Sequence, residues 1–89
     1  VKENPTMSDS KPDIVALMSQ LAKVIVEAPD EVFVEPFEEN GQTVVELEVA
    51  DSDVGRVIGR HGRTARSLRT IMNAAALRTR KRYQLEIVE

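Results

Sequence analysis

The stretch VIGRHGRT, residues 57–64, contains two of the chain's four glycines, two arginines and its only histidine. Gly59 and Gly62 lack a β-carbon, so the backbone there can approach a ligand closely or turn sharply. A helical pattern restarts near Arg63, and the N–H groups and positive dipole end at a helix start favour an anion such as phosphate. The stretch is equally compatible with an ordinary turn between two helices, so the flanking sequence has to decide.

The residues around this stretch predict two helices. Before it, Asp51, Ser52 and Asp53 are expected to cap a short helix that carries Val54, Val57 and Ile58. After it, apolar residues at helical spacing predict a longer helix, and these are Ala65, Leu68, Ile71, Met72, Ala75 and Ala76. Residues 78–82, RTRKR, follow as a basic connector. The arginines of this connector, and Arg66 and Arg69 before it, could equally form a solvated face.

Further out, the chain predicts another helix and three strands. Ser10, Pro12 and Asp13 mark a helix start, and Pro29 is expected to end that helix. Its apolar stripe consists of Ile14, Leu17, Met18, Leu21, Val24 and Ile25. Strands are predicted over residues 31–37, 43–50 and 83–89, with an Asn-Gly turn between the first two and with Pro36 at an edge or bulge. Val45, Leu47 and Val49 alternate with Glu46 and Glu48, and Tyr83, Leu85 and Ile87 alternate in the same way.

This element order predicts an α+β fold. An antiparallel hairpin joined to a last strand by a helical crossover forms a three-stranded mixed sheet, with the helices packed on one face. Residues 1–9 are expected to be a flexible tail and residues 10–89 a single domain. Met7 is a candidate natural start of the chain.

Composition narrows the class of protein. The chain has 89 residues, 42% of them hydrophobic, which suits one globular domain. It has no cysteine and a single histidine, so neither a disulfide, a zinc–thiolate site nor any other metal site is expected. The polar N-terminus and the lack of a long apolar run predict a cytoplasmic protein without membrane contact.

Charge is divided unevenly along the chain. Residues 1–54 hold three basic and thirteen acidic residues, whereas residues 55–89 hold nine basic and two acidic ones. This division favours one basic face for a polyanion, with an acidic remainder that limits unspecific binding. The alternative is that the two halves pair with each other inside the fold.

Other phosphate-binding and catalytic motifs do not fit. A Walker loop requires Gly-Lys before Ser or Thr, and here Arg63 and Thr64 follow Gly62 with no lysine nearby. Gly55, Gly59 and Gly62 do not have dinucleotide-fingerprint spacing, and Ser67 has no readable histidine–carboxylate pair. Three aromatic residues are too few for base stacking across a sheet. Because no catalytic constellation is recognisable, no enzyme, cofactor or small-molecule substrate is expected.

The run VGRVIGRHGRTARSLRTIMNAAA resembles the signature of KH domains, in which a GXXG loop clamps about four nucleotides. The element order resembles the type II arrangement, α-β-β-α-GXXG-α-β. The run DVGRVIGRHGRTARSLRTI and the ending YQLEIVE are similar to the KhpA family of small bacterial single-KH proteins. The resemblance covers roughly residues 12 to 89.

The resemblance implies a non-catalytic single-stranded RNA-binding protein and RNA chaperone. It implies a heterodimer with a KhpB/Jag-like partner or a homodimer, and a role in cell shape, elongation and cell-wall homeostasis. The expected RNA-binding residues are Val57, Ile58, Gly59, Arg60, His61, Gly62, Arg63 and Arg66. Many family members have lysine where this chain has Arg60, which keeps the charge but changes the hydrogen bonding. The alternative function is a protein-interaction adapter that uses the fold mainly for dimerisation.

Overall fold

Three helices pack on one face of a three-stranded sheet in the computed structural model, which describes residues 12–89. The elements are α1 (Ile14–Ile25), β1 (Phe33–Glu39), β2 (Gln42–Glu48), α2 (Val54–Ile58), α3 (Arg63–Ala76) and β3 (Tyr83–Ile87). Short 3₁₀ turns occupy Pro29–Glu31, Asp51–Asp53 and Arg60–Gly62. The expected α+β class and mixed sheet are confirmed. Within the described residues no helix is long and apolar enough to cross a membrane.

Strand β2 lies in the centre of the sheet. It runs antiparallel to β1 and parallel to β3, because the chain crosses over through α2 and α3 before the last strand. Asn40 and Gly41 form the hairpin turn with φ angles of 52° and 81°, as a two-residue turn between twisted strands requires. β1 is an edge strand and its register is continuous, so Pro36 is accommodated by the edge position and not by a bulge.

The core lies between the helices and one face of the sheet. Val45 and Leu47 are completely buried, as their alternation predicts, and they pack with Met18, Leu68 and Met72. Val24 and Ile71 were predicted to lie on apolar stripes but are exposed, because the buried face of each helix is narrower than the run of apolar residues in the sequence. Val24 lies on the opposite side of α1 from Ala22, and Ile71 lies about a third of a turn away from the buried line of α3.

Both ends of α1 differ from the prediction. The N-cap is Asp13, whose Oδ1 accepts a hydrogen bond from the Ala16 N–H at 3.1 Å. Ser10, predicted to cap, and the tail of residues 1–9 lie outside the described residues. The helix ends at Ile25 because Val26 is already extended, and Pro29 starts a separate 3₁₀ turn.

Asp53 has a different role from the predicted one. No side chain among residues 12–89 caps α2, so the expectation for Asp51, Ser52 and Asp53 is wrong. The Asp53 carboxylate is 1% exposed and accepts hydrogen bonds from the N–H groups of Glu27 and Ala28, both at 3.1 Å. Asp53 therefore fastens the segment after α1 to the start of α2.

Thr79 shapes the connector between α3 and β3. Its buried hydroxyl donates to the Ala76 carbonyl at 2.7 Å and accepts from the Lys81 N–H at 3.1 Å.

Thr79→Val removes both bonds at similar volume, so we expect the free energy of unfolding to fall by about 1–3 kcal/mol. Urea unfolding measures this, with Thr79→Ser as the control that keeps the hydroxyl. Equal stability of Thr79→Val and the native chain would contradict this role.

Candidate nucleic-acid interface

The loop between α2 and α3 contains three residues with a positive φ, which are Gly59, His61 and Gly62. Gly59 ends α2 with φ 79° and ψ 169°, and His61 and Gly62 follow in the left-handed region with φ 56° and 74°. Two backbone hydrogen bonds close the turn: Gly59 N–H donates to the Gly55 carbonyl at 2.8 Å, and Gly62 N–H donates to the Gly59 carbonyl at 3.0 Å. The turn thereby places the first residues of α3 directly beside the end of α2.

The two glycines are needed for different reasons. A β-carbon on Gly59 would lie 2.7 Å from the Thr64 β-carbon and 2.8 Å from the Thr64 nitrogen, so any side chain would collide with the start of α3. A β-carbon on Gly62 would meet only the Arg66 Nη1 atom, at 3.8 Å. Gly62 is therefore required only for its positive φ, a conformation that asparagine and aspartate also adopt at modest cost.

The start of α3 is suited to an anion. No side chain of residues 12–89 caps it, and its first turn contains no acidic residue. Arg60, His61, Arg63 and Arg66 are all exposed around it. The Arg63 N–H already donates to the Arg60 carbonyl. The other N–H groups of a first helical turn lack partners inside the helix, and the dipole there is positive. Phosphate is the ligand chemistry that this combination favours.

The arginines around the loop are not neutralised by the acidic half of the chain. Within the described part of the protein, neither Arg60, Arg63 nor Arg66 forms an ion pair. Arg56 differs, because it pairs with Glu27 at 2.9 Å and with Asp53 at 3.3 Å. Pairing between the two halves therefore accounts for Arg56, whereas the loop arginines remain available to a ligand.

A groove of about 560 Å³ runs from this loop between α3 and β3. It is lined by Ile58, Gly62, Ala65, Arg66, Arg69, Gln84, Leu85, Glu86, Ile87 and Glu89. The Arg69 Nη2 atom donates across it to the Leu85 carbonyl at 3.4 Å. Sequence reasoning missed Arg69 and the β3 residues as parts of the site, because only the crossover brings β3 beside a helix that precedes it in the chain.

The predicted site residues do not all face the groove or the solvent. Ile58, Gly59 and Gly62 are partly exposed. The side chain of Val57 is 0% exposed and packs in the core, so it supports α2 and is not available to a ligand. Only Ile58 of that apolar pair borders the groove.

The sheet is mixed, with the strand order β1-β2-β3, and helices cover one of its faces. Two of these helices are joined by a Gly-x-x-Gly turn. This combination defines a KH domain of the type II arrangement. Comparison with known families agrees with this class. The family model for the KH domain of KhpA and KhpB matches residues 16–87. This chain therefore belongs to the KhpA/KhpB KH-domain family.

Similar proteins cover most of the chain and almost all of their own length. A protein of Treponema pallidum is 44% identical over 73 residues, which span 82% of this chain and 91% of that protein. One of Borreliella burgdorferi is 43% identical, with 84% and 92% covered, and one of Clostridium acetobutylicum is 42% identical, with 81% and 96% covered. All three carry the name RNA-binding protein KhpA.

Proposed function

We propose that this chain binds single-stranded RNA without catalysing a reaction and holds the RNA backbone at the Gly59–Gly62 loop. The observation that carries the proposal is the uncapped start of α3, surrounded by the unpaired arginines Arg60, Arg63 and Arg66. The relatives' name, RNA-binding protein, supports the same ligand class.

The geometry suggests how the two parts of a nucleotide are held. A phosphate at the start of α3 receives hydrogen bonds from backbone N–H groups, and the arginines add attraction that falls with salt. The base of the same nucleotide enters the groove, where the partly exposed Ile58 and Ile87 offer apolar contact. Because one short clamp contacts only a few nucleotides, sequence selectivity is weak.

An NMR titration tests the clamp. We expect the amide signals of residues 59–65 to move first when a single-stranded tetranucleotide RNA is added at low ionic strength. Three arginine–phosphate contacts predict a salt slope of about −2, so that affinity falls roughly fifteen- to twentyfold between 50 and 200 mM salt. A longer RNA duplex that stays paired at this ionic strength serves as the control, because its paired bases cannot enter the groove. The proposal fails if the amide signals of residues 59–65 stay in place.

We also propose that the chain acts in the cytoplasm as part of a dimer, with a second copy or with a KhpB/Jag-like KH protein, in cell-shape and cell-wall homeostasis. The family resemblance supports this proposal. Bacterial two-hybrid analysis and light scattering of the purified chain, alone and mixed with the KhpB-like protein, distinguish the two forms of dimer.

A second candidate function is a protein-interaction adapter, which the outer face of the sheet favours. Phe33 and Phe37 are 59% and 47% exposed there, beside the acidic residues Glu35, Glu46 and Glu48. Exposed aromatic residues are common in protein interfaces. A gel-shift experiment with and without the partner separates the two functions, since partner binding with no RNA affinity in either state supports the adapter.

A further inference from the structure

A second pocket lies beyond the groove beside the loop, along the same face of α3. Successive positions of this face line the two, namely Gly62, Arg66 and Arg69 in the groove near the loop and Asn73, Ala76 and Leu77 in the second pocket. The opposite wall is the end of β3 near the loop, and the start of β3 with the connector at the far end. The loop and the connector of residues 78–82 therefore border pockets along the same face of α3.

We propose that the connector is a second phosphate-binding site, which contacts the same RNA strand about 20 Å from the loop. This separation follows from the 14 residues of α3 at about 1.5 Å each. The inference rests on the proposed RNA-binding function and extends it. A GXXG loop holds roughly four nucleotides. Arg80, Lys81 and Arg82 would bind phosphates of the same strand beyond those four nucleotides.

The connector has a defined shape. Its turn is closed by the Thr79 hydroxyl, and the Arg82 carbonyl accepts a hydrogen bond from the Thr43 N–H of β2 at 2.9 Å. Arg80 has a left-handed backbone with φ 61°. Because the turn is anchored to both α3 and the sheet, the connector's cations are presented at a fixed place and not on a loose loop.

The charges at the connector are available to a ligand. Arg80, Lys81 and Arg82 are exposed, and none of them forms an ion pair with another residue of the range 12–89. Glu38, which pairs with Thr43 across the hairpin, accepts a hydrogen bond from the Thr43 hydroxyl at 2.8 Å. Glu86 and Glu89 border the groove on the β3 side, so phosphates are expected to follow the α3 side, past Arg66 and Arg69.

The second pocket also offers contacts for bases. Tyr83, the only tyrosine, lines it and is partly buried, and Leu77 beside it is 82% exposed. An aromatic ring next to cations is the combination with which proteins hold unpaired strands without sequence preference. A base that lies against Leu77 would remove this exposed apolar side chain from water.

Oligonucleotide length separates the two sites. We compare the native chain with a variant carrying Arg80→Gln, Lys81→Gln and Arg82→Gln, using a tetranucleotide and a decanucleotide of single-stranded RNA. For the decanucleotide, the variant is expected to lose roughly tenfold or more in affinity at 0.15 M salt, and its salt slope is expected to flatten from about −4 to about −2. The affinity for the tetranucleotide stays unchanged, because the clamp alone holds it.

Two further measurements keep the outcome decisive. Lys81→Gln alone is expected to weaken decanucleotide binding. Its matched control is Lys23→Gln, which removes one exposed charge from α1, away from both pockets, and should leave that affinity unchanged. In the native chain, the ring signals of Tyr83 and the amide signals of residues 80–82 should move with the decanucleotide and not with the tetranucleotide. Unchanged decanucleotide affinity in the triple variant, or unmoved connector signals, would overturn the second site while leaving the clamp intact. Failure of the native chain to bind either RNA would instead refute the clamp and, with it, the extension.

Discussion

Gly62→Asp is expected to reduce RNA affinity at least about a hundredfold while the domain stays folded. The new carboxylate would lie at the start of α3, where we place a phosphate, and like charges in contact cost several kcal/mol. The fold tolerates the change because a β-carbon there meets only Arg66 Nη1 at 3.8 Å, and an acidic residue at a helix start interacts favourably with the dipole. Fluorescence anisotropy with labelled single-stranded RNA measures the loss, and circular dichroism verifies the fold.

Gly62→Asn is the matched control for this experiment. It has the same size and the same demand on a backbone with φ 74°, but it adds no charge, so we expect it to keep affinity within about tenfold of the native chain. Gly59→Asp is a poorer probe, because its side chain would also collide with Thr64 and distort the loop. Native affinity in Gly62→Asp would show that no phosphate lies at the start of α3.

Asp53→Ala is expected to cause the largest loss of stability among single substitutions considered for this chain. It leaves the N–H groups of Glu27 and Ala28 without their acceptors and removes one partner of Arg56. Unpaired, partly buried N–H groups and a lost charge-assisted bond together cost about 3 kcal/mol. For a domain of this size the midpoint of thermal unfolding should fall by roughly 12–24 °C.

Two controls separate the role of Asp53 from a general effect of changing this turn. Ser52→Ala alters the exposed neighbouring position and should change stability by less than about 0.5 kcal/mol. Asp53→Asn keeps one side-chain oxygen as an acceptor, so its stability should lie between that of Asp53→Ala and that of Ser52→Ala. An Asp53→Ala midpoint within a few degrees of the native value would mean that the two N–H groups find other partners.

Local patterns predicted the elements well. The Asn40-Gly41 turn, the alternation of Val45 and Leu47, and the order of helices and strands all follow from interactions between residues close in the chain. The Gly59–Gly62 loop is also local, since its turn is closed by hydrogen bonds that span three or four residues. The sequence was therefore sufficient to predict the fold class and to locate the loop.

Side-chain roles that depend on distant residues were not predictable. Asp53 looked like a helix cap, yet its hydrogen-bond acceptors serve N–H groups 25 and 26 residues earlier. Val57 looked like a ligand-facing neighbour of the loop, yet it is completely buried. The bond from Arg69 to the Leu85 carbonyl spans 16 residues and exists only because the crossover places β3 beside α3.

By itself, the sequence determined the type and order of the elements, the hairpin and the glycine loop, because backbone preference and hydrophobic period act over a few residues. The tertiary structure alone decided which arginines stay unpaired, which apolar residues are buried, and that the loop and the basic connector border pockets along the same face of α3. Those properties depend on which surfaces meet when the helices pack on the sheet, and burial and charge pairing are set by that packing and not by neighbours in the chain.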